Sequence, residues 1–183
     1  MDIGCGSGRF FAWINTHHPG VFTRLHGVEP ATAFHPILSE RFASSHGMSF
    51  EVAAFHDFSC EPKSWSHITA LASFHHLEGD SESLQALDRI HTALAPSGIY
   101  AMTNWNLSHP QWRERYERYF VSESGILYAD IPFERSPRRY RVYTHGELQA
   151  LIDPQKWEIL LHADTLCGEK NIITLLQKKQ SIY

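Results

Sequence analysis

The chain has 183 residues, which at roughly 150 residues per domain corresponds to a single domain. Hydrophobic residues make up 43% of it and charged residues 20%, a composition that excludes disordered and collagen-like chains. No apolar stretch approaches the ~20 residues of a membrane helix. Sixteen lysines and arginines against twenty acidic residues give a net charge of −4, which argues against binding nucleic acid by bulk charge alone.

The cysteines and histidines give no sign of a disulfide framework or a metal centre. Cys5, Cys60 and Cys167 are far apart and form no Cys-x-x-Cys pair, so neither a disulfide framework nor a thiolate zinc site is predicted. The histidines are scattered along the chain, and we expect no metal site. No apolar region of a signal peptide follows the N-terminus, and we therefore expect a reducing, cytoplasmic location.

Strands and helices alternate through the first hundred residues. Helices are predicted at 9–18, 31–45 and 81–95, and strands at 1–5, 24–28, 48–54, 67–73 and 99–104. Such alternation predicts a parallel sheet that is covered by helices on both faces.

The pattern changes after the fifth strand. A helix, an irregular or weakly extended stretch and a short helix are predicted at 110–121, 122–143 and 145–152. Two further strands, at 157–163 and 171–177, are separated only by a turn at Gly168, which leaves no room for a crossover helix. We therefore expect this last pair to be antiparallel and to lie at one end of the sheet.

The strongest constellation is the glycine-rich run DIGCGSG at residues 2–8, which precedes a predicted helix. Glycines let the backbone approach a ligand closely, and a helix N-terminus offers unpaired N–H groups. Glu29 ends the next predicted strand, where an acid can bind both hydroxyls of a ribose. Together these features predict a nucleoside-bearing cofactor at the carboxyl edge of the sheet.

The spacing of the glycines distinguishes between cofactors. A dinucleotide fingerprint, Gly-x-Gly-x-x-Gly, that began at Gly4 would need a third glycine where Arg9 stands, and the Gly-Lys-Ser/Thr of a phosphate loop is absent. Asp2 would face the positive amino group of a methionine moiety and would repel a pyrophosphate. An NAD-type oxidoreductase is therefore kept only as an alternative.

Four motifs in chain order resemble those of class I S-adenosylmethionine-dependent methyltransferases. Residues 2–8 resemble the first motif, and residues 27–30 (GVEP) contain the acid that binds the ribose in that family. Residues 73–77 (SFHHL) stand where the family has its motif after the fourth strand, and residues 94–98 (LAPSG) resemble its L-x-P-G-G segment.

The resemblance implies an α/β fold with a doubly wound, Rossmann-like sheet of seven strands in the order 3-2-1-4-5-7-6, with strand 7 antiparallel. It implies a single methyltransferase domain over residues 1–183 and S-adenosylmethionine as the cofactor. The family's acid after the third strand is replaced by Phe55, and Asp57 is expected to substitute for it. The cofactor-binding residues that the resemblance implies are Asp2, Gly4, Gly6, Gly8, Glu29, Pro30, Asp57, Ser73 and Phe74.

The chain starts inside the first predicted strand, so it resembles an N-terminally shortened member of the family. We expect another segment, or a homo- or hetero-oligomeric partner, to cover the cofactor site. The alternative is a truncated, catalytically impaired subunit that acts in binding or scaffolding.

A finer resemblance concerns the methyl acceptor. The His-His-Leu motif, residues 104–106 (NWN), residues 139–143 (RYRVY) and residues 146–148 (GEL) resemble the tRNA wobble-uridine carboxymethyl methyltransferases and their prokaryotic relatives. This resemblance implies an acceptor that is either RNA-borne or a small molecule. Residues 105–145 are expected to form a lid on the acceptor side.

The chemistry of the acceptor decides which side chains are needed. A carboxylate acceptor is already ionised and needs only a cation, for which Arg139 or Arg141 is the candidate. An amine or phenol would need a base, for which His75 or His76 is the candidate. The sequence leaves both alternatives open, with a slight preference for a carboxylate or RNA acceptor because the second half of the chain is rich in arginine.

Overall fold

A computed structural model describes residues 1–59, 61–133, 136–165 and 170–180. Cys60, Cys167 and the predicted turn at Gly168 lie outside the described residues. In chain order the elements are β1 (Asp2–Ile3), α1 (Arg9–His17), β2 (Leu25–Val28), a 3-10 turn (Thr32–Phe34), α2 (His35–Arg41), β3 (Met48–Glu51), β4 (Trp65–Leu71), a 3-10 turn (Phe74–His76), α3 (Gly79–Ala93), β5 (Leu94–Trp105), α4 (Pro110–Tyr116), a 3-10 turn (Glu117–Tyr119), β6 (Phe120–Glu123), β7 (Ile126–Phe133), β8 (Ser136–Arg141), α5 (His145–Ala150), β9 (Trp157–Asp164) and β10 (Asn171–Lys178).

The main sheet has seven strands in the order β3-β2-β1-β4-β5-β10-β9. Strands β1 to β5 pair in parallel, and β10 pairs antiparallel with both β5 and β9. The predicted strands six and seven are β9 and β10, so the predicted order and the antiparallel final pair are confirmed. Among the described residues no helix is long and apolar enough to cross a membrane.

Two apolar clusters lie on the two faces of the main sheet. On one face, α3 presents Ala86, Leu87 and Ile90 at helical spacing to alternate strand residues such as Ile68 and Met102. The other cluster joins α1 and α2 to β2 and β3, and it contains Cys5, Phe11, Ile14, Leu25, Leu38 and Phe42. The first cluster contains Ile3 of β1 and Phe74 just after β4, and the second contains Cys5 just after β1, so the ends of both strands are anchored in the core.

The stretch 122–143 is predicted to be irregular or weakly extended, but its described part contains an antiparallel sheet of β6, β7 and β8. Ser124 and Gly125 connect β6 to β7 as a two-residue turn with φ of 52° and 82°, the positive values that a tight hairpin needs. The apolar side of this small sheet packs in a third cluster with Leu107 and Trp105. The sheet also shortens the predicted helix at 110–121, because β6 begins at residue 120.

Candidate functional site

The connections of the main sheet change direction between β1 and β4, and the carboxyl ends of these two strands meet there. The hydroxyl of Ser73, just after β4, donates a 2.7 Å hydrogen bond to the carbonyl oxygen of Ile3. A Cβ atom on Gly4 would lie 2.3 Å from that of Ser73, so a side chain at residue 4 would separate the two strand ends. In open α/β sheets a ligand crevice is expected at such a switch point.

The carboxylate of Glu29 lies at this switch point. It is buried, and its two oxygens accept hydrogen bonds of 2.8 Å from the backbone N–H groups of Gly6 and Ala31. A carboxylate has about four lone-pair positions, so both oxygens can still accept a hydroxyl proton. A Cβ atom on Gly6 would meet no described atom within 4 Å, which leaves this side of the loop open. The arrangement fits a ribose held beside a closely approached backbone.

Gly8 is placed differently from the other two glycines. It caps α1 with φ of 75°, and a Cβ atom there would lie 2.6 Å from Cε2 of Phe42 and 2.9 Å from Cδ2 of Leu38. Gly8 therefore allows the close packing of α1 against α2, and it contributes to the crevice by orienting the N-terminus of α1.

Asp2 lies in the sheet, paired in register with Gly27 and Thr69. Its Oδ1 accepts a 2.6 Å hydrogen bond from the Thr69 hydroxyl, and burial raises the pKa of its carboxyl to about 6. Because burial disfavours the charged form, this carboxylate is costly to ionise where it lies. A nearby positive group, as predicted for the methionine amine, would lower that cost.

The remaining predicted cofactor residues lie around the same edge. Phe74 is fully buried and packs edge-on against Phe55 with ring centroids 5.8 Å apart, so it can offer a ligand only its backbone. Phe55 thus fills the core at the position where the resemblance would place an acid. Asp57 is exposed in the turn that follows, and Pro30 is exposed next to Glu29.

Ala72, the residue after β4, has φ of 55° in the left-handed region. Its N–H donates to both the carbonyl and the hydroxyl oxygen of Thr103, at 3.0 and 2.9 Å. A strained non-glycine residue costs on the order of 1–3 kcal/mol and is commonest at functional sites. The sequence did not predict this positive φ, because alanine is not a residue type that indicates it.

His75 is 1% exposed, and its Nδ1 accepts a 3.1 Å hydrogen bond from the backbone N–H of Trp105. In the neutral ring the proton is therefore on Nε2, and burial holds the pKa of His75 well below its usual range. The lone pair of Nδ1 accepts this hydrogen bond and so positions the end of β5. The predicted role as a base would require this hydrogen bond to break.

The two predicted cations are already paired. Arg139 donates to both carboxylate oxygens of Asp130 at 2.9 Å and to those of Glu123 at 2.9 and 3.0 Å, which engages four of its five N–H donors. Arg141 is 5% exposed and donates a 2.5 Å hydrogen bond to Asp80. Arg139 would have to exchange a present partner to hold an acceptor carboxylate. Arg141 binds Asp80 through Nη2 only, and its buried Nη1 has no hydrogen-bond partner among the described residues.

An aromatic surface lies next to His76. Tyr140 and Trp105 stack with ring centroids 4.9 Å apart and an interplanar angle of 3°, and the ring of His76 lies 4.7 Å from Tyr140. Asn104, one residue before Trp105, is fully buried, and its amide has no hydrogen-bond partner among the described residues. The structure places Asn104 and Trp105 as the last two residues of β5, which ends one residue beyond its predicted end, and the sequence did not predict the stacking with Tyr140.

Comparison with known proteins gives the following relationships. A family model described as a methyltransferase domain matches residues 1–100. The PH0226 protein of Pyrococcus horikoshii is 18% identical with a TM-score of 0.76, over 97% of this chain and 80% of that one. A SAM-dependent methyltransferase of Methanosarcina mazei is 18% identical with a TM-score of 0.75, over 98% and 92% of the two chains. CalS10, a SAM-bound amino pentose methyltransferase of Micromonospora echinaspora, is 17% identical with a TM-score of 0.67, over 97% and 82%. No curated protein matches the chain.

Proposed function

The chain belongs to the methyltransferase-domain family, and on that premise we propose that it transfers the methyl group of S-adenosylmethionine to a small-molecule or RNA-borne acceptor. The observation that carries the proposal is the buried Glu29 carboxylate, held at the switch point by the N–H groups of Gly6 and Ala31 beside the open side of the glycine loop. When bound, S-adenosylmethionine supplies a methyl group on a positively charged sulfur.

The residues around the crevice would share the work of holding this cofactor. Glu29 would accept the ribose hydroxyls, and Gly6 would let the backbone approach. Asp2 would attract the methionine amine, and the N-terminus of α1, set by Gly8, would favour the carboxylate. Gly4 and Ser73 hold the two strand ends together, while Phe74, Pro30 and Asp57 would form the rim. Their main contribution to the reaction is alignment and the exclusion of water.

We assign the acceptor side to residues 105–145, within a single domain of residues 1–183. The small sheet reaches the segment after β4 through the 2.9 Å hydrogen bond between His76 and the Arg139 carbonyl. This contact supports a lid that faces the crevice, with His75, Arg139 and Arg141 holding its parts in place. The resemblance to tRNA wobble-uridine enzymes makes an RNA-borne acceptor one form of the proposal and a small molecule the other.

The test is binding of S-adenosylhomocysteine, the product, followed by calorimetry and thermal unfolding, with NAD as the comparison ligand. At a ligand concentration 100 times the dissociation constant we expect a stabilisation of about 2.7 kcal/mol. Glu29→Gln should weaken binding about 10- to 100-fold, because a hydrogen bond to a charged group contributes about 1.5–3 kcal/mol.

Glu51→Gln is the matched control. Glu51 ends the neighbouring strand β3 and likewise accepts a hydrogen bond from a backbone N–H, that of Ser59 at 2.9 Å. Because its partner is Ser59 and not the glycine loop, its replacement should leave the affinity for S-adenosylhomocysteine unchanged. Binding of NAD in place of S-adenosylhomocysteine would indicate the oxidoreductase. Cooperative unfolding with no response to either ligand would indicate the scaffold subunit.

A further inference from the structure

The hydrogen bond of His76 fixes the state of its ring. Nδ1 lies 2.9 Å from the carbonyl oxygen of Arg139. A carbonyl oxygen only accepts, so in the neutral ring Nδ1 carries the proton and Nε2 keeps its lone pair. This is the reverse of the neighbouring His75, whose Nδ1 accepts from the N–H of Trp105. The two adjacent histidines therefore have opposite tautomers, and of the two, His76 has its Nε2 ready to accept a proton.

The position of His76 matches this capacity. It ends the turn Phe74–His76, three residues after Ser73 at the switch point, and it is only partly covered by its neighbours. The rings of His75 and Tyr140 pack against it at 4.7 Å, and the charges that act on it are those of Arg138 and Glu29. Partial burial lowers the pKa of His76 from its usual 6.5 and Arg138 lowers it further, while the Arg139 carbonyl and Glu29 raise it.

Two arginines of the proposed lid are already paired with carboxylates of the chain, which leaves less positive charge to hold an acceptor carboxylate. The guanidinium of Arg139 is shared by two carboxylates, and that of Arg141 is bound to Asp80 through Nη2, while its buried Nη1 has no partner among the described residues. Arg138, which acts on His76, stacks with its guanidinium 3.5 Å from the ring centroid of Phe133. Tyr140 and Trp105 add a stacked aromatic surface beside His76, suited to an apolar or planar group.

We propose that Nε2 of His76 accepts the proton of the methyl acceptor, which is therefore a neutral hydroxyl or amine and not a carboxylate. The inference rests on the proposed function. The acceptor's lone pair would form a bond to the methyl carbon as the carbon–sulfur bond breaks. The electron pair of the broken carbon–sulfur bond would stay on the sulfur. The acceptor's proton passes to Nε2, and the resulting imidazolium later releases it to water.

The first experiment determines the state of His76 without any acceptor. Nitrogen-15 histidine NMR of the full chain, alone and with S-adenosylhomocysteine, is recorded between pH 4.5 and 8.5. We expect the His76 ring to be protonated on Nδ1 and bare on Nε2 at pH 7.5, with a titration midpoint below 6.5. A proton on Nε2 or a midpoint above 7.5 would overturn the proposal.

The second experiment identifies the class of acceptor. The chain is incubated with S-adenosylmethionine carrying a labelled methyl group and with the small-molecule and RNA fractions of its source cells. The products are then treated with mild alkali, which releases the label from methyl esters but not from methyl ethers or methylamines. Alkali-stable label supports His76 as the proton acceptor, and alkali-labile label would overturn it.

His76→Asn is the variant that tests the role directly. The asparagine amide can still donate to the Arg139 carbonyl but has no lone pair at the position of Nε2. We expect transfer to fall by about 100-fold or more, with loss of the acid limb of the pH–rate profile and less than a twofold change in affinity for S-adenosylhomocysteine. Transfer at the unaltered rate would contradict the proposal.

His17→Asn is the matched control. His17 on α1 also places Nδ1 2.9 Å from a backbone carbonyl, that of Trp13, and its ring is exposed. This variant should leave the rate and the pH profile unchanged. Failure of the unaltered chain to bind S-adenosylhomocysteine would instead contradict the proposed function, and the NMR measurement on the free chain would still decide the state of His76.

Discussion

The proposed cofactor side, around the glycine loop, and the proposed lid, residues 105–145, use their charged groups in opposite ways. On the cofactor side, Glu29 is bound by two backbone N–H groups and still has free lone pairs next to an open glycine. In the lid, Arg139 and Arg141 are bound by carboxylates of the chain itself. A charged residue in a suggestive position is therefore informative about a ligand only when its partners in the fold are known.

The largest effect should come from removing the ring of Tyr140, which contacts both Trp105 and the His75–His76 segment that follows β4. Tyr140 is buried and stacks on Trp105, so Tyr140→Ala should cost about 3–4 kcal/mol of stability. If the lid opens independently, hydrogen exchange will lose protection in β6 to β8 while affinity for S-adenosylhomocysteine is kept. Tyr119→Ala, in the same lid but partly exposed, should cost much less. If Tyr140→Ala instead lost its affinity for S-adenosylhomocysteine together with the protection of β6 to β8, the two regions would unfold as one unit.

A stabilising change is expected on the cofactor side. Burial raises the pKa of Asp2 to about 6 from 3.8, so its contribution to stability is full below pH 3.8 and is lost as the pH rises through 6. The loss amounts to about 3 kcal/mol, and Asp2→Asn should recover about 2 kcal/mol at pH 7.5 with little change at pH 3.5. Urea unfolding at both pH values measures this. The exposed Asp57→Asn is the control. If Asp2→Asn showed the same pH dependence of stability as the unaltered chain, Asp2 would not be the source of that dependence.

A smaller loss should follow from unpairing a lid arginine. Asp80→Asn leaves the guanidinium of Arg141, which is 5% exposed, without its carboxylate. Because the side chain of Asp80 is itself 61% exposed, we expect about 1–2 kcal/mol, below the cost for a fully buried pair.

The same helix supplies the control. Asp88 pairs with Lys156 at 2.7 Å, but both side chains are exposed, so Asp88→Asn should cost less than about 0.5 kcal/mol. The double variant Asp80→Asn/Arg141→Met should recover most of the loss. Equal effects of the two single aspartate variants would show that the burial of Arg141 does not matter.

The two regions also differ in how far the sequence predicted them. Buried parallel strands appear as apolar runs separated by helices with glycine and proline stops, so the strand order and the antiparallel final pair followed from the resemblance and from connection lengths. In the proposed lid, the alternation of Leu127, Ala129 and Ile131 is short and contains the charged Asp130, and the sequence prediction has no counterpart of the Ser124-Gly125 turn. The partners of Arg139 depend on the register of three strands, which no local pattern encodes.

The smallest expected effect concerns Arg139. Glu123→Gln removes one of its two carboxylates, but the pair is exposed and screened by solvent, and Asp130 still holds the guanidinium. The urea midpoint should change no more than in Glu114→Gln, an exposed residue of α4, and the labelled-methyl products should be unchanged. A rise in alkali-labile product would mean that Arg139, once released from Glu123, holds an acceptor carboxylate. That result would place Arg139 in the acceptor site and remove the need for a proton acceptor at His76.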